Sequence, residues 1–157
     1  MRDSRRKGRD VDAIGLLKDD HEKMKSLLKE LEEAAEQGSP EREQLFATVK
    51  EELTVHEAIE EEIFYPALKE RPKAKDIVLE AYEEHGVVDL VMAEIEGLSF
   101  DDERWTAKFT VMKENIEHHI EEEEKEMFKQ ARDVFGKEEL EDLGSRMTAR
   151  KEELQAA

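Results

Sequence analysis

With 157 residues, the chain has room for one four-helix core but not for two independent ones. Charged residues make up 43% and aromatics 6%, which favours long surface helices over sheets, and the net charge of −18 opposes binding to nucleic-acid phosphates. The absence of cysteine excludes disulfides, thiolate zinc sites and cysteine-held iron–sulfur clusters and is compatible with a reducing cytoplasm; no run of about 18 apolar residues predicts a membrane span.

Residues 1–9 are basic (Arg2, Arg5, Arg6, Lys7, Arg9) with no hydrophobic stretch behind them, so they read as a disordered tail rather than a secretory signal. A first helix is predicted from a cap at Asp10 or Asp12 to Gly38. Ser39-Pro40 then reads as a cap followed by proline at the first helical position, opening a second helix that runs toward Arg71-Pro72. Pro66 lies inside that pattern and should kink its last turns. A third helix is expected over residues 73–96, closed by Gly97. Asp101 or Asp102 would cap a fourth that continues to about Phe135. After Gly136, Leu140, Leu143 and Met147 give residues 137–154 one apolar face. The predicted fold class is therefore all-α: an up-down-up-down four-helix bundle over residues 10–135, with a short additional helix in 136–157 that packs on the bundle or in an oligomer contact.

Each of the four long helices carries an apolar seam at steps of three and four, and each seam holds one histidine. The first reads Ile14, Leu17, His21, Met24, Leu28, Leu31 and the second Phe46, Val49, Leu53, His56, Glu60, Ile63. The third reads Val78, Ala81, His85, Val88, Met92, Ile95 and the fourth Trp105, Phe109, Met112, Ile116, His119, Glu123, Met127. At about 1.5 Å rise per residue, His21 and His56 lie about 26 and 24 Å from their shared loop, and Glu60 and His85 about 17 and 18 Å from theirs. His85 and His119 differ more, about 20 against 26 Å, which a several-residue loop can absorb. All four imidazoles are thus expected in one layer.

His56-x-x-x-Glu60 and His119-x-x-x-Glu123 place an imidazole and a carboxylate one turn apart on the same face. Two glutamates buried without partners would cost several kcal/mol. A nitrogen–oxygen donor set without sulfur suits iron, manganese or zinc, and inward carboxylates can each bridge two ions. The predicted metal set is His21, His56, Glu60, His85, His119 and Glu123. It cannot saturate two octahedral ions, leaving positions for other side chains, solvent or a small ligand. His118 lies about 100° round its helix from His119 and reads as exposed. Glu57 falls at the edge of the inward face, where it could also ligate. Tyr82, one turn before His85, is placed to pack or hydrogen-bond near the site.

Four segments in order, Leu16-Leu-Lys-Asp-Asp-His21-Glu, His56-Glu-Ala-Ile-Glu60-Glu-Glu-Ile-Phe-Tyr-Pro66, Glu84-His85 and His118-His119-Ile-Glu-Glu-Glu123-Glu, resemble the hemerythrin-like HHE cation-binding family over about residues 11–132. The resemblance implies a non-haem, oxo- or hydroxo-bridged pair of iron ions held by the six residues above. The chain departs from oxygen-carrying hemerythrins on the third helix, where Ala81 and His85 stand in place of two histidines, and in ending on His119 and Glu123. That weighs against simple oxygen transport. The segment from Glu138 to Arg150 also resembles the tails of bacterial hemerythrin-like proteins implicated in peroxide breakdown.

The function expected is a di-iron protein that binds or reacts with dioxygen, peroxide or nitric oxide, in sensing or stress defence, with catalase-like turnover one form of it. The alternative is iron homeostasis or sensing without turnover. A third reading is a structural bundle with an incidental site. The expected partner is a small diatomic molecule or peroxide, with no nucleic acid and no membrane, in a cytoplasmic monomer or homodimer.

Overall fold

The computed structural model describes residues 12–156; the basic stretch and the Asp10 alternative for the first cap lie outside the described residues. Helix α1 (Ala13–Gln37) begins at Asp12, whose Oδ1 accepts from the Gly15 N–H at 2.8 Å. It ends at Gly38, where a φ of 65° lets that N–H reach the carbonyls of Ala34 and Ala35. Ser39 Oγ accepts from the Glu41 N–H at 3.2 Å and opens α2 (Glu41–Ile59).

Beyond Ile59 the same rod passes through a π-helical turn, Glu60–Phe64, into α3 (Tyr65–Lys69). The disturbance expected at Pro66 therefore falls one turn earlier. Proline has no N–H for the carbonyl four residues back, and here it occupies the first turn of α3, where that N–H is dispensable. A short turn, Pro72–Ala74, delays α4 (Lys75–Glu96) slightly past its expected start. Asp102 Oδ1 accepts from the Arg104 N–H at 2.8 Å just before α5 (Trp105–Glu122). The continuous fourth helix expected from the sequence is broken by a second π turn, Glu123–Met127, before α6 (Phe128–Val134). Helix α7 (Lys137–Ala156) closes the chain.

Ion pairs give the directions of the rods. Lys23 meets Glu52 and Asp20 meets His56, so α1 and α2 are antiparallel. Glu94–Lys108 and Glu84–His119 set α4 against α5 in the same sense, and Lys113–Glu32 with His21–Glu124 does so for α5 and α1. The bundle is thus up-down-up-down. Leu140, Leu143 and Met147 of α7 are buried with Ile14, Ile59 and Phe64, which seats this helix on its own bundle. Arg71–Glu139 and Arg150–Glu62 flank that contact.

The apolar core is in two parts. One gathers Ile14, Leu17, Phe64, Leu68, Phe128 and Met147 at the end bearing the π turns. The other gathers Leu28, Phe46, Leu53, Met92, Trp105 and Phe109 toward the opposite end. Burying a side chain of this size contributes roughly 1.5–3 kcal/mol, so each part is a substantial source of stability. Between them lies a layer of buried histidines and glutamates. No helix among the described residues is long and apolar enough to cross a membrane.

Candidate metal centre

The six residues singled out from the sequence meet in this layer. His21 from α1, His56 from α2, His85 from α4 and His119 from α5 are all at most 8% exposed, and Glu60 and Glu123, each opening a π turn, are at most 1%. The His21 and His56 rings lie 5.1 Å apart between centroids, and those of His85 and His119 lie 4.9 Å apart. One donor atom from each of His21, His56, Glu60 and Glu123 lies within 4.8 Å of the others, and the same holds for Glu60, His85, His119 and Glu123. Both glutamates belong to both groups.

The imidazoles are held alike. Each turns Nε2 inward: His21 to Glu123 at 3.0 Å, His56 to Glu60 at 3.2 Å, His85 to Glu60 at 3.0 Å and His119 to Glu123 at 3.1 Å. Each gives Nδ1 to an outer carboxylate: His21 to Glu124 at 2.7 Å, His56 to Asp20 at 2.9 Å, His85 to Glu61 at 2.6 Å and His119 to Glu84 at 2.5 Å. A carboxylate on Nδ1 fixes the tautomer and the ring plane, leaving the Nε2 lone pair for the centre.

Sequence periodicity missed Tyr65. Its hydroxyl lies between Glu123, to which it donates, and Glu60 Oε1 at 3.1 Å, and is 3.3 Å from Nε2 of both His85 and His119. In a regular helix, residue i+5 is rotated about 140° from residue i, so Tyr65 would leave the face of Glu60. The π turn removes that offset, because the Tyr65 N–H bonds the Glu60 carbonyl. Proline at 66 was the one available sign that the ladder is irregular here.

Burial alone would disfavour charge on His56 and His119, but Glu60 and Asp20 beside the first and Glu123 and Glu84 beside the second turn both shifts well upward. In His85, Glu60 overcomes burial and raises the imidazole to about 9. Burial would raise Glu123, yet His119 and His21 hold it well below the usual carboxylate range. Burial also raises Asp20, and His56 and Lys151 outweigh it to give a net lowering. Burial and the Glu123 and Glu60 carboxylates push the Tyr65 phenol well up.

The charge pattern is one that a cation can take over. The carboxylates favour protons on His56, His85 and His119 in the metal-free chain, and a metal ion would take the place of those protons. His56 Nε2 and Glu60 Oε2 are buried and face each other without forming a hydrogen bond, and neither has another hydrogen-bond partner. Two inward donor atoms left unsatisfied, in a nitrogen–oxygen set without sulfur, fit a metal site.

The remaining candidates lie around this core. His118 is 61% exposed and faces Glu122 at 3.6 Å, outside both groups. Glu57 is buried beside the site, where burial pushes its carboxyl up to about 9. Tyr82 packs edge-on against Tyr65 at 5.2 Å and its hydroxyl reaches the Glu61 carbonyl at 3.4 Å. A cavity of about 30 Å³ opens on the face of the histidines away from the π turns, with Met24, Leu53, Val88, Ile116 and Ile120 in its walls.

The profile of the hemerythrin HHE cation binding domain matches residues 12–131. No curated protein matches the chain significantly. Among solved structures, the chain is similar to a hemerythrin HHE cation binding domain-containing protein from Mycobacterium kansasii, with 30% identity and a TM-score of 0.81 over 93% of this chain and 88% of that one.

Proposed function

This chain belongs to the hemerythrin HHE cation-binding domain family, and from that premise we propose that it is a non-haem di-iron protein whose buried centre binds or reacts with dioxygen, peroxide or nitric oxide. The observation that carries the reading is that Glu60 and Glu123 each belong to both four-residue donor groups. Two groups joined by two carboxylates suit two cations at short separation, because anionic bridges offset the repulsion between them.

His21 and His56 would hold one ion and His85 and His119 the other, with Glu60 and Glu123 shared. Tyr65 supplies a further oxygen on the His85–His119 side. When bound, a pair of redox-active ions supplies the two electrons needed to reduce dioxygen or peroxide. The protein's own part is orientation and exclusion. Asp20, Glu61, Glu84 and Glu124 lock the four rings. The cavity beside them has room for one or two water-sized molecules, and its size, with Leu53, Val88, Ile116 and Ile120 beside the histidines and Glu57, favours a small ligand over a large one.

The test is anaerobic loading of the purified chain with ferrous iron, metal counting, and absorption spectra before and after oxygen or peroxide. About two irons per chain, oxygen-dependent bands and gas evolved from peroxide support reactive di-iron chemistry. Stoichiometric iron that raises stability without turnover favours homeostasis instead. No stoichiometric metal overturns both.

A further inference from the structure

The four outer carboxylates make the same kind of bond but are not held alike. Glu124, Glu61 and Glu84 are 28%, 39% and 22% exposed, whereas Asp20 is 9% exposed. Among the described residues, Asp20 is the one of the four with a cation on its second oxygen. Its Oδ2 accepts from His56 Nδ1 at 2.9 Å, while its Oδ1 accepts from Lys151 Nζ at 2.5 Å. Lys151 belongs to α7, outside the four-helix bundle, and is itself 21% exposed. The neighbouring Arg150 bonds Glu62 at 2.8 Å within the π turn that begins at Glu60. Leu140, Leu143 and Met147 fix the rest of this helix in the core.

A carboxylate bonded through one oxygen can still swing about its terminal torsion. With both oxygens engaged its plane is set, and so is the direction from which it receives the imidazole N–H. We propose that Lys151 is a positioning residue for the half of the metal centre that contains His56: it fixes Asp20, and Asp20 fixes the ring plane and tautomer of His56. This rests on the two-ion reading above. The C-terminal helix is then part of the site's supporting shell as well as a cover for the core. Outer-shell partners of ligating histidines govern metal affinity by about 10- to 100-fold, so the effect is large enough to read.

A purely anchoring role for Lys151 predicts something different: lower stability of the metal-free chain and no preference between the two ions. Titration of the full metal-free chain with Co(II), followed by its visible absorption, separates the two roles. Lys151→Met should weaken one of two Co(II) ions about tenfold and leave the other as in the wild type. Lys151→Arg should restore most of that affinity. Glu84→Gln, which acts on His119, should weaken the other ion. Thermal unfolding of the metal-free variants reports anchoring separately.

Unchanged affinity for both ions in Lys151→Met, whatever its melting temperature, overturns the proposal. Equal weakening of both ions does the same. A wild-type chain that takes one Co(II) overturns the two-ion reading; Lys151 keeps its role if Lys151→Met still weakens that ion and loses it otherwise. A chain that takes none overturns both.

Discussion

Tyr65 and Phe128 stand at matching places, each five residues after a shared glutamate and each closing a π turn by bonding that glutamate's carbonyl. Tyr65 puts a hydroxyl among Glu60, Glu123, His85 and His119. Phe128 lays a bare ring against His21, nearly parallel to it at 5.8 Å. The two halves of the centre otherwise hold the same donors, two imidazoles and the same two carboxylates. Among the inward groups, one oxygen atom therefore distinguishes them. On the two-ion reading, the His85–His119 half carries the extra ligand and the His21–His56 half keeps the freer position.

The largest effect should come from removing one imidazole from each half. His56→Ala with His119→Ala is expected to take bound metal from about two ions per chain to none, read by elemental analysis of the purified protein. Stripping the metal from the wild type should cost about 3 kcal/mol per ion, or about 5 kcal/mol for two, relative to free metal held at 100 times its dissociation constant. For a chain of this length the loss of both ions is a fall in melting temperature of roughly 10–20 °C, measured by calorimetry with and without chelator. An unchanged melting point would detach the centre from the fold.

Tyr65→Phe removes the difference between the halves in their inward groups and tests the comparison directly. If Tyr65 gives up its proton and binds a ferric ion as phenolate, the wild type should show a visible charge-transfer band that the variant lacks. Removing the hydroxyl also leaves Glu60 and Glu123 short of a donor, at a cost of roughly 1–3 kcal/mol in the metal-free chain by denaturant titration. If spectrum and stability both match the wild type, the hydroxyl does not distinguish the halves. The smallest effect is expected at His118, which faces solvent. His118→Ala should leave metal content unchanged and stability within about 0.5 kcal/mol.

The histidine layer was legible because regular helices give predictable faces and heights, and each of His21, His56, His85 and His119 lies on a rod that is regular up to that point. Tyr65 was not, because it lies beyond a π turn, where counting in steps of three and four fails. Pro66 hinted at the first irregularity, and Lys129 in the matching place after the second gave no such hint. The apolar face of α7 could be read from Leu140, Leu143 and Met147, but not the surface that receives it. Lys151 and Asp20 are 131 residues apart in sequence, and no local pattern connects them.

The division of the core has a consequence for cooperativity. Two apolar clusters separated by a charged layer are two units that can open independently, because little hydrophobic contact spans the layer. In the metal-free chain, backbone amides at the two ends should therefore exchange with solvent at different rates. A cation bound by residues from α1, α2, α4 and α5 ties both units to one event and should bring those rates together.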